Sequence, residues 1–222
     1  MKLIKEIIEE LKSVISGKTI DAILPPTIYV IANNIFDLLT GIVLAVFVAL
    51  VLAFYRFRKK ETWQYAFGGF IGVIFASGFA YFAGSAENYF LPDAITSGFI
   101  LLLAIGSLIM KKPLAAWMSH ITRGWQLEWF WRKDVKPAYT EVTMFWGVFF
   151  AFRLAVEVYL LMEGNITQLF WSKTLLGLPA IVIVLIITYV FGIWRLHQLG
   201  GPGIDEFEKD KKPPWEGQKR GF

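Results

Sequence analysis

Arg153 and Glu157 stand four residues apart inside the apolar run Val142–Met162. On a helix that spacing sets both side chains on one face, within reach of each other. At 1.5 Å per residue, Arg153 lies about 16 Å into the run, near the centre of a bilayer. A charge at that depth costs at least ~2.5–3.5 kcal/mol on the insertion scale, so it must face the protein interior and find a partner. Two chemistries fit. Arg153 holds an anion while Glu157 exchanges a proton or cation along a solute or ion path, or the pair satisfies itself and fixes helix packing. Because the sequence already supplies the partner, the packing role is slightly favoured.

Other polar groups gather towards the same end of the spans. Asn33, Asn34 and Asp37 lie where the first two apolar runs turn, Asp93 opens the fourth, and Lys173 precedes the sixth. In a compact bundle Asp37 and Lys173 would meet Glu157 in an outward-facing cavity, although each alone is more often a cap or turn residue. Arg153, Glu157, Asp37, Lys173, Asn33 and Asn34 therefore form the candidate transport or buried polar site. The remaining chemistry is sparse. The chain has no cysteine, and its two histidines, His120 and His197, have no ligand spacing. There is no phosphate-binding glycine loop, zinc motif or catalytic triad, so no catalytic residue, metal or cofactor is expected and the protein reads as non-enzymatic.

The elements that must hold these residues are apolar and long. Hydrophobic residues make up 56% of the 222 and charged residues 18%, below the share of about 25% usual in soluble domains. Five runs, Leu38–Tyr55, Gln64–Phe82, Ala94–Met110, Val142–Met162 and Leu175–Trp194, are each long enough to cross roughly 30 Å of hydrocarbon. A sixth, Ile20–Phe36, carries Asp21, Pro25 and Pro26 and reads as a short or kinked span, or a re-entrant segment. With six spans, the N-terminus, Arg56–Trp63, Lys111–Glu141 and the C-terminus share one side, which holds 20 of the 22 Lys and Arg residues. That is the positive-inside pattern. It predicts an all-α polytopic bundle of about six transmembrane helices over 19–199, in a bacterial inner membrane, with both termini cytoplasmic. The net charge of +4 reflects this topology; no nucleic-acid partner is expected.

Three segments flank or interrupt the spans. Residues 1–18 alternate Leu3, Ile4, Ile7, Ile8, Leu11 and Ile15 with charged residues, which predicts an amphipathic helix on the inner membrane surface or docked on the bundle. Residues 113–135 place Leu114, Trp117, Met118, Ile121, Trp125 and Trp129 at helical spacing. This predicts a Trp-rich interfacial helix, with Trp117, Trp125, Trp129 and Trp131 as an anchor or, less readily, a platform for a partner. Residues 200–222, rich in Gly, Pro and charge, predict a mobile cytoplasmic tail or one that binds a neighbour. Gly68, Gly69, Gly72, Ala76, Gly78 and Ala80 in the third span would let a helix or a second copy approach closely. Leu24-Pro25-Pro26-Thr27-Ile28 echoes Leu91-Pro92-Asp93-Ala94-Ile95, a faint trace of a three-plus-three repeat.

From Leu24 to Leu196 the order of features resembles the intracellular septation protein A family, the YciB-like proteins of the bacterial inner membrane. The matching pieces are Leu24-Pro25, Asp37, Arg56-Phe57-Arg58-Lys59, Lys111-Lys112-Pro113-Leu114, Trp146 with Phe149-Phe150, Tyr159, and Lys173 followed by Gly177-Leu178. Arg153 and Glu157 depart from the family pattern, which has small or uncharged polar residues there. The Trp-rich stretch and the tail look longer than that family's, so the chain resembles a divergent branch of unassigned role. The resemblance implies a multi-spanning fold and a non-enzymatic part in cell-envelope maintenance or division. Beside it stand a small ion or solute transporter or channel built on Arg153–Glu157, and an accessory subunit of a larger membrane complex. The expected partners are the lipid bilayer and, under the first and third readings, membrane proteins or a second copy.

Overall fold

The computed structural model describes residues 18–60, 63–219 and 221–222, with side chains described from Ile23 onward except over 61–66 and at 220. The predicted amphipathic helix over 1–18 thus lies outside the described residues, apart from Lys18. Every regular element among the described residues is helical. In chain order they are α1 Lys18–Ile35, α2 Leu38–Arg58, α3 Trp63–Ala83, a 3-10 turn Ala86–Phe90, α4 Leu91–Ile109, α5 Leu114–Arg123, α6 Leu127–Phe130, α7 Lys136–Glu163, α8 Ile166–Leu176, α9 Leu178–Leu199 and α10 Ile204–Glu208.

All six apolar runs are helices. Four stretches, Leu38–Arg58, Ala86–Ile109, Lys136–Glu163 and Ile166–Leu199, are long and apolar enough to cross a membrane, while Ile23–Ile35 and Phe67–Ala83 are shorter apolar helices. Many large apolar side chains on them are exposed, among them Phe47, Phe75, Phe99, Leu102, Val148 and Ile183. In water such surface would drive aggregation, whereas lipid tails cover it without cost.

The chain forms two compact units. Unit 1 comprises residues 1–96 and 153–180. Its centre is the α1–α2 hairpin. Phe36 and Asp37 make the turn, and Asp37 caps α2 by accepting from the Thr40 N–H at 2.7 Å. Gly41, Ala45, Ala49 and Ala53, one per helical turn, are the buried face of α2. A Cβ at Gly41 would sit 3.1 Å from both the Tyr29 carbonyl oxygen and the Asn33 Cβ, so the two helices approach tightly at this glycine. A close approach of two helices thus occurs at α2. Of the small-residue run in the third span, Ala76 and Ala80 are buried in the core beside Val73, while an added Cβ at Gly68, Gly69, Gly72 or Gly78 meets no described atom within 4 Å. Tyr29, Tyr89, Phe90, Leu160, Ile166 and Leu169 complete the same core.

Unit 2 comprises residues 97–152 and 181–222. Here two expectations need correction. The Trp-rich stretch is two short helices, because Gly124 adopts φ 72° and ends α5, its N–H bonding to the His120 carbonyl at 2.8 Å. Trp129 is fully buried and donates its indole N–H to the Pro202 carbonyl at 2.9 Å, so it belongs to the core and not to an interfacial platform. Trp117, Trp125 and Trp131 remain half-buried. The tail expected to be mobile is packed. Ile204 joins the core of Trp129, Phe130 and Tyr139. Phe222 stacks on Tyr139 at 4.2 Å between ring centroids, in a notch that exists because Gly192 has no side chain. Glu206 is buried and accepts from the backbone N–H groups of Gly203, Glu216 and Gly217 at 3.0–3.1 Å. These N–H groups, that of Glu216 foremost, hold its carboxyl below the usual range. A few well-placed apolar and hydrogen-bonding residues thus outweigh a composition that reads as loose.

Candidate functional site

The inward face of α7 within unit 1 is the stripe Arg153, Glu157 and Leu160, all buried, at the i, i+4, i+7 spacing of one helix side. By helix rise, Arg153 lies about 26 Å from the first residue of α7 and about 15 Å from its last, deep inside the span. The Arg153 Nε donates to Glu157 Oε1 at 2.8 Å, and the two side chains are 8% and 5% exposed. The sequence expectation of a buried, self-reaching pair is met.

The pair is nevertheless half used. Arg153 makes this one hydrogen bond to a described residue, through one of the five N–H donors of its guanidinium. Glu157 Oε2 is buried with no described partner. Two other ion pairs in the protein are saturated by comparison. In unit 2, Arg195 grips Glu141 through Nε to both oxygens and through Nη2, at 2.8–3.0 Å. Arg132 forks onto Asp134 at 2.9 and 2.7 Å. Those carboxylates are 34% and 25% exposed, where water would have completed any missing bonds. The buried pair has no such recourse and leaves its bonds open. Orphaned hydroxyls sit on two other helices of the unit. Ser77 Oγ of α3 and Ser172 Oγ of α8 are buried with no described partner. Serines in helices commonly bond back to a carbonyl one turn earlier, as Thr27 and Thr174 do here.

The remaining predicted site residues do not converge on Glu157. Asp37 is exposed and committed to capping α2, its carboxyl held below the ordinary range by the Thr40 N–H. Lys173 donates to Asp93 Oδ2 at 2.7 Å and lies 5.8 Å above the ring of Phe90. It therefore serves the first turn of α4 and not Glu157, because Asp93 is the carboxylate that the fold brings to the end of α8. Asn34 donates to Thr167 Oγ1 at 3.4 Å, joining α1 to α8. Asn33 is packed where α1 crosses Gly41. The partnership of Asp93 with Lys173, eighty residues apart, had no signal in the sequence beyond the presence of two opposite charges at helix ends. The stacked Tyr29–Tyr89 pair, 4.0 Å between centroids, had none at all.

Among the described residues no group of His, Cys, Asp and Glu is arranged to hold a metal ion. Arg153 offers an unengaged guanidinium edge, and Glu157 an unengaged anionic oxygen, side by side in an apolar setting. Groups of this kind can hold a charged ligand by hydrogen bonds and ion pairing.

The chain matches no curated protein and no solved structure. One family model, described as a protein of unknown function, DUF3159, covers residues 16–197, which include Arg153, Glu157, Asp93 and Lys173 and leave out the tail. This match does not tie the chain to the septation proteins. With most of its length covered, the chain belongs to the DUF3159 family.

Proposed function

We propose that this protein is a six-span transporter or channel of the bacterial inner membrane, with both termini cytoplasmic, that passes a small ion or solute at a polar site around Arg153 and Glu157. The observation that supports this reading is the unsaturated pair. A buried ion pair retained for packing gains only if its remaining lone pairs and protons are also satisfied. Here one carboxylate oxygen and most of the guanidinium are left open at mid-span. A site that must release its ligand needs open bonds of this kind. The six-span topology draws its support from the charge distribution and from the helical state of all six apolar runs.

The test is flux through the purified full-length chain in liposomes, comparing wild type with Glu157→Gln. Flux present in wild type and lost in a folded variant supports the reading. Wild-type liposomes tight to every ion and solute tried would sink it. A second reading keeps the non-enzymatic role in envelope maintenance or division that the septation resemblance implies. Its support is the stretch Glu208–Pro214, exposed while residues on either side of it are packed. Under that reading, replacing Lys209, Lys211 and Lys212 abolishes function in cells and Glu157→Gln does not.

A further inference from the structure

The open bonds of the central pair specify a ligand class. Arg153 and Glu157 together carry no net charge, and both are buried in an apolar span. A lone anion on the guanidinium, or a lone cation on the carboxylate, would leave one net charge at that depth, the expensive condition that the pair itself avoids. A ligand carrying both charges leaves none. The unengaged parts are complementary to such a ligand. The terminal nitrogens of Arg153 form the planar edge that takes a carboxylate or phosphate through two parallel bonds. Glu157 Oε2, the acceptor beside it, takes an ammonium. The two groups are joined by one 2.8 Å hydrogen bond, so the ligand's charges must lie close together, within a few bonds of each other. Lys173 and Asp93, another charged pair among the described residues of unit 1, are engaged with each other.

We propose that the site binds a compact zwitterion, an ammonium and an anionic oxygen group within one small moiety, oriented with its anion on Arg153 and its ammonium on Glu157. This rests on the transport reading above and narrows it. The chemistry occurs in free α-amino acids and in the phosphoethanolamine headgroup of a lipid, and the experiment separates the two. Full-length protein in liposomes is assayed for uptake of radiolabelled glycine, for translocation of a phosphatidylethanolamine with a fluorescent acyl chain, and for chloride and potassium flux. The expected result is movement of glycine or of the lipid without net charge transfer. Glu157→Gln abolishes it and Glu157→Asp partly restores it. Arg153→Lys, which keeps the charge and loses the planar edge, lowers it about tenfold or more and carries the test if Glu157→Gln fails to fold. Glycine uptake identifies a free solute as the ligand, and lipid translocation a headgroup. Chloride or potassium flux alone, lost in Glu157→Gln, would leave the transport reading standing and overturn the zwitterion. Movement of glycine or lipid that is indifferent to both substitutions would overturn it as well. No flux of any probe would overturn both.

Discussion

Replacing Glu157 alone strands the Arg153 guanidinium in an apolar span, and replacing Arg153 alone strands a carboxylate. Removal of one partner of a buried pair typically costs about 3–5 kcal/mol. Replacing both, Arg153→Met with Glu157→Leu, removes the uncompensated charge and is expected to recover most of that loss in thermal unfolding of the detergent-solubilised protein. The double variant separates the two roles: it should be near wild type in stability and inactive in flux. A double variant as unstable as either single one would mean that the pair is packing glue. The pair was legible from sequence because its evidence is local, two opposite charges one helical turn apart. Lys173 was not, because its partner Asp93 is brought to it only by the packing of α8 against the start of α4. Asp37 is a cap, as its place in a turn suggests, and does not reach Glu157. Its carboxylate is turned back to the Thr40 N–H, and a polar residue in a turn carries no sign of which way it faces.

At the scale of elements, the α1–α2 hairpin rests on the small face of α2. Gly41→Leu places a branched side chain against the Tyr29 carbonyl and the Asn33 Cβ, each already 3.1 Å from an added Cβ. The helices must separate, at a cost of about 1–3 kcal/mol or more, read as a lowered unfolding temperature. Gly72→Leu on α3 meets open space and should leave that temperature unchanged or raise it slightly through better helix propensity. If both substitutions destabilise alike, α3 has a neighbour in the membrane that the single chain does not supply. The glycines of α3 leave its surface open, while Ala76 and Ala80 of the same run are buried. A run of small residues permits close approach without requiring it, and the operative stripe was the regular four-residue spacing Gly41, Ala45, Ala49, Ala53, hidden among Val, Leu and Phe. The tail was missed for a related reason. Composition averages over residues, while Ile204, Glu206, Gln218 and Phe222 hold that segment by individual contacts. Glu206 gives that hold a pH dependence. Its carboxyl is depressed in the folded tail, so its contribution is present above the ordinary carboxylate range and is lost as pH falls through the lowered value. Limited proteolysis should therefore leave the tail intact at neutral pH and cut it increasingly as the pH is taken below the ordinary carboxylate range. Glu206→Gln should make it sensitive at neutral pH too, since a neutral amide oxygen is a weaker acceptor for three N–H groups.

For the whole molecule, topology is the quantity on which the transport reading depends, and the sequence prepares an unusually clean measurement of it. The chain has no cysteine, so single cysteines can be introduced one at a time with no background. Six spans with both termini cytoplasmic place Lys60, Lys111 and Lys219 on one side of the membrane, and Asp37, Ser85 and Asn165 on the other. All six residues lie outside the regular helices, Asp37 and Asn165 as caps, and none of the six is buried. In intact cells or sealed right-side-out vesicles, a membrane-impermeant maleimide should label cysteines at 37, 85 and 165. It should label those at 60, 111 and 219 only after permeabilisation. Four of the apolar stretches span by length and hydropathy on their own, so the decisive positions are the ones that report on α1 and α3. Labelling at 37 and 60 from opposite sides fixes α2 as a span, and labelling at 60 and 85 from opposite sides fixes α3. A helix α1 that re-enters without crossing would put residue 18 on the same side as residue 37, which a cysteine at Lys18 would reveal. In that arrangement Lys2, Lys5, Lys12 and Lys18 would all lie outside, against the charge pattern of every other loop. The same set of cysteines then serves the flux assay. If labelling at 85 or 165 slows transport while labelling at 219 does not, the path to Glu157 opens on the outer side of unit 1.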